Sequence, residues 1–107
     1  MEFVERGELD SPALEAYLRK TLAHELTAPP DAVVLGCTHY PFLRPVLQRL
    51  FGDETELIDG GEGTARETAR QLCAADLLNP QQGQGSVDFP TSEMDNATIE
   101  LCKKLLG

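Results

Sequence analysis

The residues best suited to chemistry are Cys37 and His39, set in the stretch Ala-Val-Val-Leu-Gly-Cys-Thr-His-Tyr-Pro-Phe from Ala32 to Phe42. A thiol acts as base or nucleophile once it has lost its proton, and an imidazole two residues away can take that proton or return it. The apolar run Ala32 to Leu35 predicts a strand buried on both faces, the habit of parallel sheets. Gly36 breaks the run, and Pro41 and Pro45 mark where a helix begins. Cys37, Thr38 and His39 therefore fall between a strand end and a helix start. Ligands bind there in open parallel sheets, and the helix dipole favours a thiolate.

Each of these residues also has a plainer role to weigh. Most unbridged cysteines are small buried hydrophobes, and Cys73 and Cys102, on apolar helical faces, are expected to be core residues. The junction and the neighbouring His39 set Cys37 apart. His39 alone is also compatible with a loop histidine bonded to backbone. Tyr40 suits a site wall and a packing role about equally. Asp59 ends a second strand, where capping the Gly60-Gly61 turn and the next helix is the simpler role. His24, near a helix end, is expected to be solvated.

Three other chemistries are excluded by spacing. Gly60-Gly61-Glu62-Gly63 matches neither the P-loop nor the dinucleotide fingerprint. A cysteine phosphatase places arginine six residues after the cysteine, where this chain has Leu43, with Arg44 one too late. Zinc would find only Cys37 and His39 as clustered ligands, too few for a site.

The elements that must hold this loop can be read in order. Ser11 as N-cap and Pro12 at the first position open a helix with Leu14, Leu18, Leu22 and Leu26 on one stripe, closed by Pro29-Pro30. Leu43 to Phe51 predicts a second helix, irregular in its first turn because both Pro41 and Pro45 sit there. Thr55 to Asp59 predicts a strand, and Glu62 to about Leu78 a long helix with Ala65, Ala69, Leu72, Cys73 and Leu77 inside. A polar connection, Asn79 to Ser86, leads to a weaker strand at Val87 to Thr91. Asp95 or Asn96 caps a last helix with Ala97, Leu101, Cys102, Leu105 and Leu106 on its apolar face. The alternation gives an α/β parallel-sheet chain with only three strands.

The chain has 107 residues and a formal charge of -9, from 18 acidic and 9 basic residues. Such acidity argues against nucleic acid and anionic membrane as partners, since both attract basic surfaces. Met1-Glu2-Phe3-Val4-Glu5 resembles no targeting segment, and no run reaches membrane-spanning length. The three cysteines do not form a disulfide framework, which favours a reducing cytoplasm.

Gly36-Cys37-Thr38-His39-Tyr40-Pro41, followed by Leu43-Arg44-Pro45 and Leu57-Ile58-Asp59-Gly60-Gly61-Glu62-Gly63-Thr64-Ala65, resembles the C-terminal half of glutamate racemase. The resemblance extends from Val4 to Gly107. It implies a doubly wound, flavodoxin- or Rossmann-like fragment of a two-domain racemase. Residues 1–59 would belong to the second domain, which carries the Cys37 loop, and 60–107 would return to the first. It further implies cofactor-independent inversion of glutamate by two opposed cysteines, for peptidoglycan synthesis. Cys37 is then the catalytic thiol, His39 assists its proton transfer and contacts substrate, and Thr38 binds substrate. The family's Asp-Ser-Gly and Asn-Thr segments beside the other cysteine have no counterpart here, so the chain alone is expected to be inactive. Unpaired strand edges invite a second copy or the missing N-terminal half. Two readings of another class are a non-catalytic remnant and a self-associating amino-acid-binding module.

Overall fold

The computed structural model describes residues 2–81, 83, 85–92 and 96–107. Asp95, one of the two expected caps of the last helix, lies outside them. The chain is α/β and divides into two units, Met1–Asp59 with Thr91–Gly107, and Gly60–Pro90.

In the first unit, α1 (Glu2–Glu5) precedes α2 (Pro12–Thr21) and α3 (Ala23–Thr27). Ser11 adopts an extended backbone, and its hydroxyl accepts the Leu14 N–H at 3.1 Å, with Pro12 inside the first turn. Leu14 and Leu18 are buried, and Leu22 and Leu26 pack against the same core. The predicted single helix breaks at Leu22, whose backbone leaves helical geometry while the apolar stripe continues.

β1 (Ala32–Val34) and β2 (Glu56–Ile58) pair in parallel, with Ala32, Val33 and Val34 opposite Glu56, Leu57 and Ile58. The Leu35 N–H donates to the Ile58 carbonyl at 2.7 Å and the Glu56 N–H to the Asp31 carbonyl at 2.8 Å, extending the ladder at both ends. Two expectations fail here. β1 is not buried on both faces, since Val34 is 72% exposed. Only one face of so narrow a sheet is covered by the helices of its unit, so the alternate side chains meet solvent. Val87 to Thr91 forms no strand. Pro90, which has no N–H to donate, is a poor ladder member, and no described strand pairs with this segment.

Between the strands a 3₁₀ turn (Tyr40–Leu43) runs into α4 (Arg44–Phe51). Pro41 opens the turn and Pro45 the helix, so each proline sits where a missing N–H costs little. Gly52 ends α4 at φ 86°, a backbone region that strains other residues. Thr55 is 2% exposed and donates its hydroxyl to the Pro30 carbonyl at 2.8 Å. Val46, Leu47 and Phe51 of α4 join Val4, Leu14, Leu18, Leu35, Leu43 and Leu57 in one core. After 91, α6 (Asn96–Leu106) returns to this unit, where the Lys104 ammonium donates to the Gly7 carbonyl at 2.6 Å.

The second unit contains α5 (Gly61–Ala74) and an irregular segment. The inner face expected from Ala65, Ala69, Leu72, Cys73 and Leu77 is exposed, Leu77 by 68%. One helix and irregular chain offer no second layer to bury it. Glu67 accepts hydrogen bonds from Arg70 and Gln71, which hold its carboxyl below the ordinary carboxylate value.

Leu14→Ala should cost about 2–5 kcal/mol, the range for emptying a fully buried leucine site, and urea unfolding measures it. Ser11→Ala should cost about 1 kcal/mol through the lost cap. Because the Glu67 value is depressed on folding, its stabilisation of α5 is present above the ordinary carboxylate value and lost as pH falls through the lower folded one. Helicity followed by circular dichroism should therefore decline less between pH 5 and pH 2 in Arg70→Gln than in the parent chain.

Candidate functional site

The ladder ends at Leu35, which is buried, and Gly36 releases the chain into the loop that carries Cys37, Thr38 and His39. His39 caps the 3₁₀ turn, its carbonyl accepting the Phe42 N–H at 3.2 Å. The loop is thus held by the strand on one side and by the proline-opened turn on the other. Cys37 and His39 are half-buried and Thr38 is exposed, so all three are within reach of a ligand.

The imidazole links the group. His39 Nδ1 lies 3.9 Å from Cys37 Sγ and 3.3 Å from Thr38 Oγ1, and Nε2 lies 4.0 Å from Glu5 Oε1. All three distances lie within unit one. A carboxylate facing Nε2 favours the tautomer with its proton there, which leaves Nδ1 as an acceptor towards the thiol. The arrangement can therefore store and return one proton at Cys37 Sγ.

Glu5 is the residue that sequence reasoning missed. Its segment reads only as the Phe3-Val4 anchor, and nothing local marks a carboxylate that will meet a loop far along the chain. Val4, 1% exposed, seats α1 and so fixes where Glu5 stands. Tyr40 starts the turn, 43% exposed. Asp59, at the carboxyl end of β2, receives Arg44 Nη2 at 2.5 Å while Arg44 Nη1 donates to the Leu57 carbonyl at 2.8 Å. Cys73 is exposed and Cys102 half-buried, so Cys73 is not the core residue expected, and none of the three cysteines is disulfide-bonded.

No family model matches the chain. Among curated proteins it is 47% identical over 92 residues to a glutamate racemase of Herpetosiphon aurantiacus, a match covering 86% of this chain and 36% of that protein. It is 37% identical over 106 residues to a glutamate racemase of Clostridium perfringens, covering 99% of this chain and 41% of that protein. With a glutamate racemase of Pseudomonas putida it shares 45% identity over 106 residues, 99% of this chain and 38% of that protein. The chain spans about two fifths of the length of the curated relatives it matches. Over nearly its whole length it is similar to the C-terminal part of glutamate racemases.

If His39 accepts the Cys37 proton, His39→Gln should slow iodoacetamide alkylation of Cys37 severalfold at neutral pH, and Glu5→Gln should slow it less. Peptide mapping reads each site separately, and exposed Cys73 serves as the internal reference. Equal rates at Cys37 in parent and variants would remove the imidazole from the proton path.

Proposed function

We propose that this chain supplies one of the two acid–base sides of a cofactor-independent glutamate racemase. The observation that carries the reading is the series Cys37, His39 and Glu5 at the carboxyl end of β1, in a chain 37–47% identical to glutamate racemases. Cys37 as thiolate takes the α-proton of one glutamate enantiomer, or as thiol delivers a proton to form it. His39 holds the proton between turnovers, with Glu5 facing its other nitrogen. Thr38, exposed beside them, binds the substrate's polar groups, and His39 shares that contact.

Inversion needs an acid and a base on opposite faces of the α-carbon. The chain has one other histidine, His24, exposed on α3, so neither Cys73 nor Cys102 has an imidazole adjacent in sequence as Cys37 does. The opposite thiol then comes from the N-terminal part of the enzyme. In the complete protein β1, α4 and β2 form one repeat of a doubly wound parallel sheet. Residues 1–59 lie in the domain that carries Cys37, and 60–107 return to the other. The structural division after Asp59 supports the first boundary, whereas Thr91–Gly107 group here with the first unit. D-Glutamate made this way serves peptidoglycan synthesis in the cytoplasm. Among the described residues no helix is long and apolar enough to cross a membrane.

The 107-residue chain alone should leave the circular dichroism of an L-glutamate solution unchanged. Placed in the Pseudomonas putida racemase in exchange for the matching segment, it should support racemisation. Cys37→Ser in that chimera should lower the rate by about 10²-fold or more, the scale of a lost general acid or base. Racemisation by the chain alone, or a chimera indifferent to Cys37→Ser, would overturn the assignment.

A further inference from the structure

α1 has four residues, too few for a helix to persist without tertiary support. Glu5, its last residue, therefore stands opposite His39 only as firmly as that turn is held. Val4 is buried beneath the turn, and the Phe3 ring lies against Tyr17 with centroids 5.5 Å apart. The far end is closed by Gly7, at φ 69°. The Gly7 N–H donates to the Val4 carbonyl and the Glu8 N–H to the Phe3 carbonyl, each at 2.8 Å, the paired bonds of a glycine-capped helix end. They tie Gly7 to the turn that carries Glu5, so a displacement of one moves the other.

α6 grips that glycine from outside. Lys104 Nζ donates to the Gly7 carbonyl at 2.6 Å, and Leu101, one turn earlier on the same face, lies against the glycine. A Cβ at position 7 would come within 3.2 Å of both Leu101 Cδ1 and Lys104 Nζ, so α6 approaches as closely as only a glycine allows. Leu105 continues this face onto the core. Lys104 itself is exposed and contributes nothing to that core, which leaves the Gly7 carbonyl as what its ammonium serves.

We infer that Lys104 is a positioning residue for the Cys37 site. By holding the Gly7 carbonyl it fixes the end of α1, and with it the approach of Glu5 to His39. Glu5 Oε1 and His39 Nε2 are 4.0 Å apart, at the limit of contact, so a small displacement of α1 would part them. The inference rests on the proton path proposed above and extends it to a residue that touches neither the thiol nor the imidazole.

The test follows iodoacetamide alkylation of each cysteine in the 107-residue chain by peptide mapping. Lys104→Met should slow Cys37 about twofold, the scale of one modest hydrogen bond, and Lys104→Arg, which keeps a donor, should restore the parent rate. In a Glu5→Gln background Lys104→Met should add nothing, because the group it positions is gone. Cys102, half-buried on α6, reports whether that helix keeps its seat, and exposed Cys73 is the reference. Its rate should stay at the parent value in Lys104→Met, since Leu101 and Leu105 remain. A parental Cys37 rate in Lys104→Met would overturn the inference. So would slowing that adds to that of Glu5→Gln, slowing that Lys104→Arg fails to relieve, or slowing accompanied by faster alkylation of Cys102, the mark of a helix come loose. Alkylation requires no turnover. A chimera that fails to racemise glutamate while these rates behave as expected would sink the proposed function and leave the role of Lys104 standing.

Discussion

The parallel pairing of β1 with β2 is the constraint on which the rest depends. Parallel neighbours cannot be joined by a tight turn, so the chain must leave β1, cross the sheet as α4 and re-enter at the same end. The Cys37 loop is the first half of that crossing. Its position at the strand end follows from the topology, before any consideration of chemistry. Arg44 reinforces this by reaching from the start of α4 to the Leu57 carbonyl and the Asp59 carboxylate, which fastens the helix that follows the loop to the strand beside it. The register is fixed at the other end by the Thr55 hydroxyl on Pro30. A slip of one residue would turn Leu57 to solvent and Glu56 inward.

Much of this was readable from residues whose physical preferences are local. Pro12, Pro41 and Pro45 fix φ, Ser11 offers a cap and Gly36 and Gly52 permit a break, and the elements begin and end at or near them. The Cys-Thr-His spacing likewise placed a thiol and an imidazole together, because two residues cannot stray far apart. What failed depended on the number and placement of other layers. The run Ala32 to Leu35 reads as doubly buried, but burial of Val34 requires an element on the second face, and no pattern within four residues says whether one exists. The same holds for α5, whose small-residue stripe is a property of the helix while its burial is a property of its neighbours. Glu5 was invisible for a related reason, since its meeting with His39 is made by the tertiary packing of Phe3 and Val4.

The two units differ in kind. The first closes a core around Leu14, Val4 and Val46, each under 2% exposed. The second holds its helix by surface ion pairs such as Glu62 with Arg66 and Glu67 with Arg70, which individually contribute little. Among the described residues of 60–90 none is buried, so this unit has no core of its own.

The Arg44–Asp59 pair also changes how the site end of the sheet is seen from solution. Asp59 follows Ile58, the partner of Val34, so its carboxylate stands on the same rim as the loop after β1. Left alone, it would add negative potential at one rim of a protein already carrying -9. Joined to a guanidinium, it presents a dipole whose field fades much faster with distance than that of a bare charge. An acidic protein can in this way remove one bare charge from that rim, so that its long-range field is set more by its outer faces.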